Sequence, residues 1–308
     1  MSIAPTSRTR VAYIAESAFA TTPDTPTFLE IRRTGGNLRT RKATAVSEEI
    51  HIDRNVRAEY QLAQDVEGSY DFELTYGSYD DILEAALGGA WSTNVLVNGS
   101  VEKSLTFEET IDVGGGSFAY HRFTGVEVDS LSLNFTARRG VTGSVTLQGK
   151  QEALDTAIIS GATYTAPNTN VIETANSVAS LAVASLSPVP IVRSLSLNIA
   201  NNLRRHEVLG SLYTNSFGSG QLDVTGTLEA YFTSNALYQA VLDHGTGALA
   251  LTIGSVTAKK YTISLPVIQF LDGAKRLGGK NDDVMVSIPF RAVADSAPKS
   301  ISITRAVA

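Results

Sequence analysis

The chain has 308 residues, of which 43% are hydrophobic and 18% charged, so it can build a sizeable core and is not a globally disordered protein. The net charge of −6 disfavours tight nucleic-acid binding, which depends on Lys and Arg neutralising phosphates, and the absence of Cys excludes disulfides, thiolate metal sites and Cys nucleophiles. No apolar run reaches the roughly 20 residues that span a bilayer, so we expect neither a membrane segment nor a signal peptide.

Residues 1–40 are expected to form an extended N-terminal arm rather than a domain. Pro23 and Pro26 disfavour helix at the residues before them and favour extended or turn structure. Phe28 gives this segment a small apolar anchor, and the glycines at 35–36 mark a turn.

Two segments, 65–89 and 223–245, share one pattern. Each opens with Asp-Val-x-Gly, continues as a strand and reaches a Ser, Ser78 or Ser234, that is placed to cap a helix. The chain therefore reads as one mainly β unit used twice, each a β-barrel or sandwich with the order strand-strand-helix-strand-strand and one short α-helix. The predicted division is an arm, a first unit, a linker with little structure of its own and a second unit, at residues 1–40, 41–150, 151–190 and 191–308.

Alternation of apolar and polar residues predicts the strands outside the shared pattern. Residues 126–135 and 141–148 alternate and predict a strand pair joined by a turn. Residues 191–199 alternate in the same way and open the second unit, whereas residues 95–123 show little strand pattern.

The strand at 65–76 has an acidic open face, because side chains alternate between the two faces of a strand. The residues predicted to share this face are Glu67, Ser69, Asp71 and Glu73, and their counterparts in the second unit are Thr225, Thr227 and Glu229. One interpretation is an ordinary solvated sheet face. The other is a surface that faces DNA without binding it, since carboxylates repel phosphates.

No catalytic or metal-binding constellation is recognisable. The four histidines, none of which has another at i+4, are His51, His121, His206 and His244. Asp80, Asp81 and Glu84 could be taken for a carboxylate pair in acid–base catalysis, but they fit the first turns of a helix better. We therefore expect no enzyme, cofactor or metal, and an enzyme that uses these carboxylates is the weakest alternative.

Several segments, in their order along the chain, resemble tail tube proteins of long-tailed bacteriophages. They are AESAFATTPDTPTFLEIRRTGG (15–36), GVEVDSLSLNFTARRGVTGSVTLQG (125–149), VRSLSLNIANNLRRHEVLGS (192–211), and the ending that begins YTISLPVIQFLDG and closes NDDVMVSIPFRAVAD (261–295). The resemblance covers most of the chain, with the predicted linker least matched.

The resemblance implies a structural virion protein whose rings stack into a hollow tube, with strands forming an inner barrel and the helix packed outside. It implies that the tape-measure protein and DNA pass through the lumen, that tail tip and terminator proteins bind the ends, and that assembly takes place in the host cytoplasm. Related tubes are built from hexameric rings of one unit per chain. Two units per chain favour a trimeric, pseudo-hexameric ring, with a ring of six chains as the alternative.

The same resemblance suggests roles for particular residues. The open face of the strand at 65–76 and the matching face of its counterpart in the second unit become candidates for the lumen. Reversal of Glu67, Asp71 and Glu73 to Lys is expected to permit assembly but to slow DNA ejection. The arm and the loops 53–64 and 200–219 are expected to bridge rings. The candidate ring–ring residues are Pro23, Pro26, Phe28, Arg32, Arg33, Arg204 and Arg205.

A carbohydrate-binding or adhesive β-sandwich module is the alternative function, because short alternating strands would serve it equally well. Sugar binding commonly uses exposed aromatic rings as a stacking platform. The one Trp, Trp91, follows a predicted helix instead of lying on an exposed strand. This position disfavours the alternative.

Overall fold

The computed structural model describes residues 3–184 and 189–307, and most of its regular structure is strand, as predicted. The strands of the first half are β1 Thr9–Ala15, β2 Thr27–Glu30, β3 Arg33–Val46, β4 Glu59–Glu73, β5 Val95–Val97, β6 Leu105–Gly114, β7 Ser117–Thr136, β8 Thr142–Gly149, β9 Gln151–Asp155 and β10 Thr163–Thr165. Those of the second half are β11 Val178–Ala184, β12 Val192–Ala200, β13 Arg204–His206, β14 Ser216–Gly218, β15 Asp223–Tyr231, β16 Thr246–Ile253, β17 Tyr261–Phe270, β18 Ala274–Arg276, β19 Met285–Ala292 and β20 Ser302–Arg305. The helices are α1 Asp80–Leu87, α2 Thr174–Ser177 and α3 Asn235–Leu242, and a 3-10 turn spans Thr6–Arg8.

The first half is a sandwich whose two layers share the long strand β7. The beginning of β7 pairs with β6 and β9, and its end pairs with β8. One layer has the order β3-β4-β8-β7, and the other has β1-β6-β7-β9. Rings from both layers meet in the core, where Phe107 stacks on Tyr13 and on Tyr70 with centroid distances of 5.6 Å in each case. The described strands form open sheets rather than a closed barrel.

The second half has its strands in a matching order. β12 pairs with β15, β15 pairs with β19, and β19 pairs with the end of β17 and with its continuation β18. The beginning of β17 pairs with β16, which also pairs with β11. A helix follows β15 just as α1 follows β4.

Both predicted helices form where the residue pattern places them. α1 ends at Gly88, whose left-handed φ of 58° is readily adopted by glycine. A Cβ at the next position, Gly89, would lie 2.1 Å from the carbonyl oxygen of Val97. Ser234 caps α3 as predicted, because its Oγ accepts a hydrogen bond from the amide of Ala236 at 3.3 Å.

Ser78 does not cap α1, although the pattern predicts it. Its Oγ accepts a hydrogen bond from the amide of Asn168 at 3.1 Å, and Tyr79 occupies the cap position without a side-chain bond. A partner 90 residues away therefore displaces the local cap. Asp80 and Asp81 in the first turn still favour the helix through its dipole.

Residues 1–40 do not extend as an arm. β1 runs along β6 over seven residue pairs, and Val11, Ala12 and Tyr13 are buried.

Strands also form in residues 95–123, where little strand pattern is visible. The residues at the beginning of β6, 105–108, are all buried, so burial on both faces removes the period-two signal.

Residues 151–190 were expected to have little structure, but the described part of this segment contains β9, β10, α2 and β11. Side chains hold it to the first half. The Tyr164 hydroxyl donates to the fully buried carboxylate of Glu108 at 2.6 Å, and Arg122 donates to Asp155 at 2.9 Å. These partners lie 56 and 33 residues apart along the chain, so local composition does not reveal them.

Candidate functional site

One polar face of the sheet extends across six neighbouring strands in the order β4-β8-β7-β12-β15-β19. Paired residues form rows that cross both halves, and two complete rows are Asp71–Ser144–Ser132–Asn198–Thr225–Arg291 and Glu73–Thr142–Asn134–Ser196–Thr227–Pro289. Every residue in these rows is exposed or half-buried, whereas almost all of their neighbours along the strands are buried. The centre of this open face therefore presents hydroxyl and amide groups.

The seven candidate lumen residues all lie on the open face. Glu67 and Ser69 pair with Gln148 and Thr146 on β8, in register with the two complete rows. Glu229 lies between Ser194 and Ser287 in a further row. The alternation of residues thus predicted correctly which side chains share a face.

Glu67 is not a free carboxylate on this face. It is bonded to Arg39 at 2.9 Å and to Arg41 at 3.3 Å, and Arg205 lies 4.0 Å from it. Partial burial raises the pKa of Glu67, but the hydrogen bonds from Arg39 and Arg41 outweigh this effect and lower the pKa below its usual value. The negative charge of Glu67 is therefore largely balanced within the chain.

The other acidic side chains of the face differ in their pairing. Glu73 lies 3.9 Å from Arg32, and Glu229 lies 3.5 Å from Arg276. Asp71 is exposed and forms no ion pair with any described residue. The face is therefore much less acidic than the sequence of β4 by itself suggests.

The two halves of the chain join edge to edge through β7 and β12. Seven antiparallel residue pairs form this joint, from Ser130 opposite Ala200 to Thr136 opposite Ser194. Each strand carries the sequence Leu-Ser-Leu-Asn, at 131–134 and 195–198. This repeated tetrapeptide is the sequence signal for the joint.

Helix α1 lies on the core side of the joint, opposite the open face. Ile82 and Leu83 are buried in the core shared by both halves. The α1 helix contacts both β7 and β12. The Nδ2 of Asn201, just after β12, donates to the carbonyl oxygens of Ala85 and Val128 at 3.3 and 2.8 Å. One helix therefore covers the junction between the halves.

In the row of strands that contains the joint, the two end strands each have an edge without a partner in the described residues. β3 pairs along one edge only, with β4, and β18 pairs only with β19. They lie at opposite ends of the row of strands that contains the joint. Unpaired edges invite pairing with another chain.

Two hairpin tips lie side by side at one end of the sheet. The amide of Gln64 donates to the carbonyl of Leu212 at 2.7 Å, and the amide of Thr214 donates to Asp65 at 3.0 Å. The tip between β3 and β4 exposes Ile50, Ile52 and Val56, and the tip between β13 and β14 exposes Leu209. Val56 and Leu209 lie in the loops 53–64 and 200–219 that were expected to bridge rings, although none of the four was among the individually predicted contact residues.

The predicted ring–ring residues are mostly engaged inside the chain. Pro26 and Phe28 are buried, and Phe28 stacks on Tyr164 with a centroid distance of 5.5 Å. Arg32 donates to the carbonyls of Asn168 and Thr169, and Arg33 donates to Gly36 and Thr9. Arg205 lies 3.8 Å from Asp65, and Arg204 donates to the carbonyl of Ser219 at 3.4 Å. Pro23 is half-buried and Arg204 is exposed.

The carboxylates offered for catalysis serve as structural partners. Asp80 accepts from the Tyr261 hydroxyl at 2.6 Å and from Arg305 at 2.5 Å. Asp81 and Glu84 both bind Lys103. No cluster of His, Cys, Asp or Glu suited to a metal occurs within residues 3–184 and 189–307.

Trp91 provides no exposed stacking platform. It is only partly exposed, and its Nε1 donates to the carbonyl of Asp80 at 3.2 Å. The Arg305 guanidinium lies 4.5 Å from its ring centroid. Its ring therefore serves the contact between α1 and β20.

Comparison of the sequence with known protein families gives a match. A family model described as phage tail tube protein matches residues 6–292. No curated protein matches the chain. Within the described residues, no helix is long and apolar enough to cross a membrane.

Proposed function

The chain belongs to the phage tail tube protein family and is a structural protein of the virion tail that self-assembles into a tube, and we propose that three copies close each ring. Each chain contributes two tube units, about residues 41–150 and 191–308, so three chains supply six units. The joint between β7 and β12 carries this proposal, because it pairs two units edge to edge within one chain.

Matching strand orders in the two halves support the duplication. β3-β4-β8-β7 in the first half corresponds to β12-β15-β19-β17/β18 in the second, and α1 corresponds to α3. By this correspondence β18 takes the place of the end of β7, and β3 takes the place of β12. The unpaired edge of β18 in one chain therefore pairs with the unpaired edge of β3 in the next, and a third chain closes the ring.

The joint within the chain also defines the register between chains. Leu133 is opposite Leu197, and Asn134 is opposite Ser196. The same register can be carried to the joint between chains, because β18 pairs with β19 as the end of β7 pairs with β8, and β3 pairs with β4 as β12 pairs with β15. The residues at equivalent positions then place Lys275 opposite Leu38 and Arg276 opposite Asn37.

Cysteine cross-linking tests both the register and the number of chains. The chain has no Cys of its own, so every disulfide formed in an Asn37→Cys/Arg276→Cys variant joins the introduced positions. Opposed residues on antiparallel strands have Cβ atoms about 5 Å apart, close to disulfide geometry. Oxidised rings are expected to give covalent species on a non-reducing gel that stop at three chains.

The matched control is Asn134→Cys/Ser196→Cys, which is expected to form a disulfide inside each monomer. Negative-stain microscopy of the same samples at rising concentration checks for rings and hollow tubes. A covalent series that reaches six chains would establish the six-chain ring instead. Tubes without any cross-link between chains would contradict the proposed edge pairing.

The open face is proposed to line the lumen. α1 and the core occupy the other side of the joint, so a ring closed through the unpaired edges carries the rows of Ser, Thr and Asn on one continuous surface. Neutral hydroxyls and amides, with carboxylates and few unpaired cations, offer little to hold a phosphate backbone. DNA and the tape-measure protein would pass over such a lining without binding tightly.

The paired hairpin tips are proposed to contact the neighbouring ring along the tube axis. They project from one end of the sheet, and their exposed Ile50, Ile52 and Leu209 would be buried by a stacked ring. Arg204 remains a candidate for this contact, whereas the buried Pro26 and Phe28 do not. Tail tip and terminator proteins would bind the two ends of the stack.

We further propose that the protein acts without catalysis and assembles in the host cytoplasm. The intramolecular ion pairs of Asp80, Asp81 and Glu84 support the first point, because they leave these carboxylates committed to the fold. The family match favours a tube over the carbohydrate-binding alternative, and the position of Trp91 agrees with it.

A further inference from the structure

Helices α1 and α3 have eight residues each and differ sharply in how they are covered. Five residues of α1 are buried, but only Leu237 of α3 is. Aligned from their first residues, the helices place Leu87 and Leu242 at equivalent positions. Leu87 is fully buried and Leu242 is 63% exposed.

The difference is concentrated in one stripe of each helix. In α1 the stripe consists of Asp80, Glu84 and Leu87, which are all bonded or buried. Its equivalent in α3 consists of Asn235, Gln239 and Leu242, which are all exposed. These positions are spaced at i, i+4 and i+7, so they form one face of the helix.

The second half of the chain supplies much of what covers α1. Tyr261 of β17 and Arg305 of β20 both bind Asp80 at the beginning of the helix. The segment that follows α1 covers its other end, since the amide of Gly99 donates to the carbonyl of Leu87 at 3.0 Å. That segment also contains β5, which pairs with β20.

The first half carries the counterpart of this docking surface. β9 pairs with the beginning of β7 just as β20 pairs with the beginning of β17. β9 makes no other strand pairing in the described residues, and Leu154 on β9 and Phe118 on β7 are 70% and 40% exposed. Within residues 3–184 and 189–307, no helix packs on this corner in the way that α1 packs against β17 and β20.

We propose that the Asn235–Gln239–Leu242 face of α3 packs on the corner formed by β9 and the beginning of β7 in the next copy of this chain. The surface adjoins the edge that forms the chain-to-chain joint, because the Nζ of Lys275 on β18 lies 5.6 Å from the ring centroid of Tyr238 on α3. This proposal rests on the proposed ring, and it adds a contact on the core side of the sheet. In this proposal α3 packs across the joint between two chains, as α1 packs across the joint between the two halves of one chain.

A charge placed on this face tests the proposal. Leu242→Glu is expected to leave the melting temperature of the unassembled chain unchanged, because the side chain is already exposed. It is expected to raise the concentration needed for tube formation at least tenfold, since the carboxylate would be buried between chains, and tenfold corresponds to about 1.4 kcal/mol. Val256→Glu is the matched control, because Val256 is exposed in the turn between β16 and β17, one strand length from α3.

A photo-cross-linker at position 242 supplies the second measurement. In tubes recovered from virions it is expected to label residues 117–124 or 151–155 of another chain. Leu242→Glu tubes at the wild-type concentration, or labelling of any other region, would overturn the α3 contact and leave the ring itself standing. If neither the wild-type chain nor Val256→Glu forms rings, the proposed ring is wrong, and the α3 contact is wrong with it.

Discussion

Glu127 on β7 is a carboxylate only 6% exposed, and no described residue donates a hydrogen bond to it. Burial raises the pKa of Glu127, and the nearby carboxylates of Glu102 and Glu16 raise it further, to about 8. Glu16, by contrast, accepts hydrogen bonds from the amides of Ala20 and Gly125. Glu127 therefore lacks the donors that the neighbouring carboxylate of Glu16 has.

Stability is therefore expected to fall as the pH rises from about 5 to 8 through Glu127. The folded state holds the proton up to a pKa of about 8, whereas the unfolded chain releases it near its ordinary pKa, so ionisation favours unfolding. Glu127→Gln is expected to remove most of this loss, about 3 kcal/mol at pH 8. Urea unfolding of both proteins between pH 5 and 9 measures it, with Glu48→Gln, at an exposed carboxylate, as the control. Parallel pH profiles for the wild type and Glu127→Gln would contradict the assignment.

At the scale of elements, each half contains a glycine that makes room for a phenylalanine ring on the neighbouring strand. A Cβ at Gly143 on β8 would lie 2.5 Å from the ring of Phe72 on β4. A Cβ at Gly226 on β15 would lie 2.4 Å from the ring of Phe290 on β19. In both halves a phenylalanine on the adjacent strand fills the space above the glycine, but the glycine lies on β8 in the first half and on β15, the counterpart of β4, in the second.

Gly143→Ala and Gly226→Ala are each expected to destabilise the chain by about 2 kcal/mol, because the added methyl group displaces a buried ring in a packed core. The control is Gly140→Ala, where the nearest atom, in Val171, would lie 3.5 Å away. Thermal unfolding of the three variants measures the effect. Equal stability of all three would show that the rings yield without cost.

At the scale of the molecule, strand pairing continues from one half of the chain into the other without a break. The open face consequently carries its polar rows across both halves, while α1 and the core occupy the other side. A closed ring would extend these rows around the lumen. The chemistry of the passage for DNA then depends on residues from every strand, not on β4 alone.

Asn134→Lys/Asn198→Lys adds two cations at the centre of the open face. Both side chains are exposed, so assembly is expected to proceed. DNA release from virions is expected to slow by about tenfold at low salt and less at high salt, because lysine contacts with phosphate weaken as salt rises. Asn134→Gln/Asn198→Gln is the neutral control. Unchanged release at every salt concentration would exclude this face from the lumen.

Patterns read along the chain predicted several features that the structure contains. The mainly β architecture, α1 and α3 near their observed bounds, the cap by Ser234, and the shared face of Glu67, Ser69, Asp71 and Glu73 all follow from period-two alternation and helix-end chemistry. The family resemblance agrees with the family match. These features depend on residues close together along the chain, which is why sequence alone determined them.

Only the tertiary structure decided the partners. β1 pairs with β6, and the segment from β9 to β11 forms regular structure. Ser78 accepts a hydrogen bond from Asn168 instead of capping α1, and Arg39, Arg41 and Arg205 balance the charge of Glu67. Each of these outcomes depends on groups that are distant along the chain and adjacent in space. Local periodicity determines which face a side chain occupies, but only folding brings together the charges and edges that meet there.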